Sequence, residues 1–115
     1  MITRIWRGET RPEDADAYQS FVTRHVFTAL TKLEGHRGAY LLRRAEAARV
    51  EFLAVTLWDS LESVRAFAGD KIETAVIEPE ARAILSSFDD FVRHYDVAYG
   101  KPCTGETFET FPSVL

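Results

Sequence analysis

The sequence predicts an α+β fold in the ferredoxin-like order βαββαβ, a four-stranded antiparallel sheet carrying its helices on one face. Three observations predict it. A long amphipathic helix follows a short strand-like opening. Two further strand-like runs, Gly38 to Ala45 and Val50 to Asp59, are separated only by Glu46-Ala47-Ala48-Arg49. Helical segments then lead into a last strand-like run, Asp90 to Tyr99. With 115 residues, against roughly 150 for a typical domain, the chain has room for one domain and one core.

In the opening run, Ile2, Ile5 and Trp6 stand among Thr3, Arg4 and Arg7, with no room for a helix before Gly8. It reads as a first strand whose alternation is imperfect. Thr10-Arg11-Pro12-Glu13 follows, a capping-box pattern with proline in the first turn, so Thr10 is the expected N-cap. Tyr18, Phe21, Val22, Val26, Leu30 and Leu33 recur mostly at steps of three or four and lay an apolar stripe along one helix. Gly35 is its expected stop.

The run from Val50 to Asp59 is apolar on both faces. Phe52, Ala54, Thr56 and Trp58 share one parity, while Leu53, Val55 and Leu57 share the other. An antiparallel strand with one wet face would alternate apolar and polar residues, so both sides of this sheet need cover. Helices cover one side; a second copy of the chain, packed sheet to sheet, would cover the other. Asp59-Ser60-Leu61-Glu62 opens a short helix carrying Leu61, Val64 and Phe67 and ending at Gly69. Pro79 begins a further helical segment, and in the last strand Phe91, Arg93, Tyr95 and Val97 oppose Val92, His94 and Asp96. Residues 1–99 are expected to form the domain. Residues 100–115 form a tail whose Phe108 and Phe111 point to docking on the rest of the protein.

Composition narrows the function. Fourteen Lys and Arg residues against eighteen Asp and Glu give a net charge of −4, which argues against non-specific nucleic-acid binding. No apolar run reaches the roughly 20 residues of a membrane span, and the charged start is unlike a signal peptide. Cys103 is the single cysteine. An internal disulfide or a multi-cysteine metal site is therefore impossible, and a reducing cytoplasm is the expected home. The three histidines lack metal-site spacing, so no metal is expected.

Four stretches resemble the antibiotic-biosynthesis-monooxygenase-like family. They are Ile2-Thr3-Arg4-Ile5-Trp6-Arg7-Gly8, Leu33-Glu34-Gly35-His36-Arg37-Gly38-Ala39, Trp58-Asp59-Ser60 with Arg65-Ala66-Phe67, and His94-Tyr95-Asp96-Val97. The resemblance spans about residues 1–99, carried by order and spacing together. It implies a dimeric α/β barrel and a monooxygenase acting without a cofactor on a small aromatic or quinol-like compound. A non-catalytic barrel that binds a small hydrophobic molecule is the other reading it allows. The family's haem-degrading branch uses an Asn–Trp–His set that falls here on Arg7, Phe67 and Ile77, and Ile77 cannot ligate iron. Its aromatic-polyketide oxygenases share Trp58, but their asparagine and tyrosine fall on Ala54 and Val64.

A cofactor-independent oxygenase needs an apolar, water-poor pocket, a base, and a group that stabilises the substrate anion. His25 or His94 is the candidate base, histidine being the side chain that titrates near neutral pH. Arg7 is the candidate anion partner and Trp58 the stacking surface. Phe21 and Phe67 are candidate pocket walls. Each has a purely structural counterpart: Trp58, Phe21 and Phe67 as core residues, His25 as a satisfied core histidine, His94 as a dimer contact, and Arg7 as a solvated strand-end charge.

Overall fold

Nine residues, Ile2–Thr10, form β1 at the centre of the sheet in the computed structural model, which describes residues 1–101. A helical run follows. It comprises a 3-10 turn (Pro12–Asp14), α1 (Ala15–Phe21), a π-helical segment (Val22–Val26) and α2 (Phe27–Leu30). β2 (His36–Ala45) and β3 (Val50–Trp58) form the predicted hairpin, α3 spans Leu61–Ala68 and α4 spans Pro79–Ile84. The last edge carries β4 (Ser87–Phe88) and β5 (Arg93–Asp96), both antiparallel to β1. The order β2-β3-β1-β4, with β5 also on β1, is that of the predicted ferredoxin-like unit.

Three local expectations need correction. The first helical run ends at Leu30, with Thr31 as its C-cap, short of the expected stop at Gly35. Thr10 is the last residue of β1, paired with Val50, so its hydroxyl turns into the core and finds no hydrogen-bond partner there. Arg11 occupies the N-cap position without a side-chain cap. The last strand, expected over Asp90 to Tyr99, is instead two short ones, Ser87–Phe88 and Arg93–Asp96, making five strands among the described residues. Between them the backbone leaves β1. The Trp6 indole donates to the Asp89 carbonyl at 2.8 Å, while residues 90–92 bond to Glu73 and Ala75 of the α3–α4 connection. Trp6 can lie along its own strand because residue 8 is glycine; a Cβ there would come within 2.4 Å of the ring.

Other signals hold. The Ser60 side chain accepts from the Ser63 amide at 3.3 Å and caps α3, Gly69 ends α3 with φ of 80°, and Pro79 opens α4. Strand parity sorts the sheet into two faces. Ile2, Arg4, Trp6, Phe52, Ala54, Thr56 and Trp58 face the helices; Ile5, Arg7, Leu53, Val55 and Leu57 face away. The helix-side core has two clusters, one around Tyr18, Val22, Phe52 and Leu85, the other around Leu30, Trp58, Val64 and Ile72. The expected tail docking through Phe108 and Phe111, and Cys103 itself, lie outside the described residues.

Candidate functional site

Between the two core clusters the packing leaves an inner chamber of about 80 Å³. Its floor is the sheet, through Arg4, Trp6, Ala54 and Thr56; its roof is the first helical run, through Tyr18, Val22, Val26, Phe27 and Leu30. Phe67 of α3 and Val76, Ile77 and Glu78 of the α3–α4 connection close its sides. An outer cleft of about 580 Å³ shares Val26, Leu30, Phe67 and Glu78 with the chamber and adds Phe21, His25, Ala29, Leu33 and Glu80.

The helix serves both spaces because one face is divided between them. Phe27 N–H donates to the Val22 carbonyl, an i→i+5 bond, and this π segment holds Val22 and Val26 over the chamber and His25 over the cleft. Single-turn π segments inside α-helices are rare and frequent at functional sites. The His25 ring packs on Phe21, centroids 5.4 Å apart, and is solvent-exposed.

Among the described residues Arg4 is the single cation on the chamber lining, and it is only 4% exposed. Its Nη1 donates to the Ile72 carbonyl at 2.5 Å and meets His94 Nε2 at 3.0 Å, while Nη2 donates to the Thr74 carbonyl at 3.0 Å. The guanidinium carbon stands 5.7 Å from the Phe67 ring centroid. Among the described residues no carboxylate lies within ion-pair distance of it. Burial pulls its pKa down to about 10, against a weaker opposing pull from Glu73, so it stays charged at neutral pH. His94 is lowered below its usual 6.5 by burial and then by the Arg4 charge, with Glu73 opposing.

The other residues singled out in the sequence are distributed unevenly. Phe67 stands on the wall shared by both spaces, and Phe21 and His25 line the outer cleft. His94 reaches the site through Arg4. Trp58 is fully buried behind Phe67, stacked at 5.6 Å, its indole donating to Thr56 Oγ1 at 2.9 Å. It supports the wall without lining either space. Arg7 is on the opposite face of the sheet, held by Glu51 at 2.6 Å and Glu9 at 2.8 Å, and the structure does not bring it to the chamber. Arg4 is the functional candidate that the sequence reading passed over. It shares parity with Ile2 and Trp6, and the pairing of β1 with β3 turns all three toward the helices.

No protein-family model and no curated protein matches the chain. Solved structures do. A Bacillus cereus protein assigned to the antibiotic biosynthesis monooxygenases superposes with a TM-score of 0.63 at 14% identity, over 90% of this chain and 96% of its own. A Deinococcus radiodurans protein with the same assignment gives 0.63 at 12% identity, over 91% and 100%. The heme-degrader MhuD from Mycobacterium tuberculosis, with two hemes bound in its active site, gives 0.57 at 19% identity, over 89% and 100%. At these identities the shared property is the architecture: the chain has the fold of the antibiotic-biosynthesis-monooxygenase-like proteins.

Proposed function

We propose that the protein is a cofactor-independent monooxygenase acting on a small aromatic or quinol-like compound, and that it works as a homodimer. One observation carries the reading: a chamber of mostly apolar side chains between helix and sheet, sharing a wall with a wider cleft, with a buried cation at its floor. An electron-rich aromatic that loses a proton there becomes an anion, and the Arg4 charge is strongest where water is excluded. The substrate then supplies the electrons. Anthrone shows the balance: its ring CH₂ becomes C=O as one O₂ is consumed, one oxygen atom entering the product and the other leaving as water.

His25 is the base a ligand spanning both spaces can reach, because it lines the cleft. His94 Nε2 already holds Arg4, so its part is to position the guanidinium. Phe21 and Phe67 supply ring contacts. Haem does not fit the chamber. Ile77 stands on its wall, and among the described residues that wall carries no imidazole or thiolate. The second reading, a barrel that only binds a small hydrophobic molecule, is favoured by one fact: with His94 engaged by Arg4, the described residues offer the inner chamber no free imidazole.

Oxygen uptake with anthrone and a set of hydroquinones tests the proposal. His25→Ala is expected to lower the rate by about a hundredfold or more, the usual contribution of a general base. Equal rates in parent and variant would remove His25 from the mechanism, and ligand binding without uptake would establish the binding-only reading. A haem titration giving a sharp Soret band and ring-opened products would overturn both.

A further inference from the structure

We infer that the ligand of this site is an aromatic acid, its carboxylate seated in the inner chamber on Arg4 and its ring in the outer cleft against Phe67 and Phe21. This rests on the proposed ligand site and refines it: Arg4 anchors a carboxylate that the ligand carries, while the ring that loses its proton lies in the cleft beside His25. A buried guanidinium without a carboxylate partner is costly, since its lost hydration is repaid only by hydrogen bonds to neutral groups. Of its five N–H groups, three are engaged, by the Ile72 and Thr74 carbonyls and by His94 Nε2. Among the described residues nothing engages Nε–H or the second Nη2–H. Those two nitrogens form the edge with which an arginine grips a carboxylate through two parallel bonds. Arg37 of the same chain grips Asp59 in that way, through Nε at 2.6 Å and Nη2 at 2.7 Å.

Size sets the orientation. The inner chamber, at about 80 Å³, is smaller than the roughly 150 Å³ apolar cavity known to hold benzene, so it takes a carboxylate head more readily than a ring. The wider cleft takes the ring, across the shared Phe67 wall. Charge agrees with this orientation. Glu80 is exposed on the cleft lining alone, whereas Glu78 lines both spaces and favours neither. The Glu80 carboxylate disfavours an anionic group at the mouth, and the cation that receives one lies inward, at Arg4.

The experiment compares two probes of one shape, 3-phenylpropanoate and 3-phenylpropan-1-ol, by calorimetric titration at pH 7.5. The acid is expected to bind at least tenfold more tightly than the alcohol. Arg4→Met should abolish that preference and Arg4→Lys should keep part of it. Equal affinities, a preference surviving in Arg4→Met, or no binding of either probe at millimolar concentration would each overturn the inference. Should Arg4→Met fail to fold, the Arg4 Nε–H resonance of the unaltered protein reads the same contact, and it should move with the acid and not with the alcohol. Oxygen uptake is separate: uptake without acid preference defeats this inference alone, and acid preference without uptake defeats the oxygenase alone.

Discussion

Arg4 and His94 fix each other's protonation. An arginine can only donate, so His94 Nε2 is the bare nitrogen and the ring is neutral, its proton on Nδ1. Burial first, then the Arg4 charge, lowers the His94 pKa; burial lowers that of His36 as well, against a weaker backbone hydrogen bond at Gly38. Both rings therefore bind a proton less readily in the folded chain than in the unfolded one. Between their lowered values and about 6.5 the unfolded chain holds more protons, so stability rises with pH through that window and levels off above it. The urea midpoint is expected to fall between pH 7.5 and 5.5, less steeply in His94→Gln and less again when His36→Gln is added. Glu9 and Asp59, whose pKa values are lowered from 4.5 and 3.8, act below this range and do not confuse it. An unchanged slope in His94→Gln would contradict the assignment. The same pair shows what the sequence leaves unreadable. β1 has apolar residues on both parities, so nothing local says whether Arg4 or Arg7 turns inward. The pairing of Arg4 with Thr56, between Ala54 and Trp58, decides it, and that register is a tertiary fact.

At the scale of elements, legibility follows how local the cause is. Ser60 caps α3 through its own hydroxyl, Gly69 ends it with positive φ, and Pro79 opens α4; each is written within a few residues. The apolar stripe of the first helix was equally plain, but its π segment was not, since one i→i+5 bond leaves no residue signature. The capping box at Thr10 misled for a related reason. It matches the local pattern, yet β1 pairing runs through Thr10 and takes its side chain away. The split last edge depends on Trp6 reaching Asp89, 83 positions away, which no periodicity could show. These two threonine and serine sites give opposite expectations. Ser60→Ala should cost about 0.5–2 kcal/mol, as for other lost N-caps. Thr10→Val removes a buried hydroxyl without a partner and should leave stability unchanged or raise it. Urea denaturation of the two variants checks both; a Thr10→Val loss matching that of Ser60→Ala would restore the threonine cap.

For the whole molecule, the decisive feature is the sheet face that no helix of the described residues covers. Ile5, Leu53, Val55 and Leu57 run across it, joined by Tyr40, Leu42 and Tyr95 at 39%, 49% and 49% exposure. A continuous apolar surface of this kind is unfavourable on a lone chain, and a two-fold axis lets the same surface serve both partners. That doubly apolar central strand was visible in the sequence, and the geometry adds where polar groups interrupt it: Arg7, Glu9 and Glu51 pair among themselves toward one end. Val55 lies mid-strand, between Ile5 and Tyr40 on its neighbours. A carboxylate there would be buried unpaired in a sheet-to-sheet contact, yet tolerable on a single chain, where the side chain is only half-covered. Sedimentation at micromolar concentration is therefore expected to give twice 13.1 kDa for the parent and 13.1 kDa for Val55→Asp, with unchanged far-UV circular dichroism. A parent that sediments as one chain would end the dimer proposal. The chamber is lined on the other side of the sheet by residues of one chain. The dissociated Val55→Asp protein should therefore keep its preference for the acid probe, so assembly and ligand recognition can be lost separately.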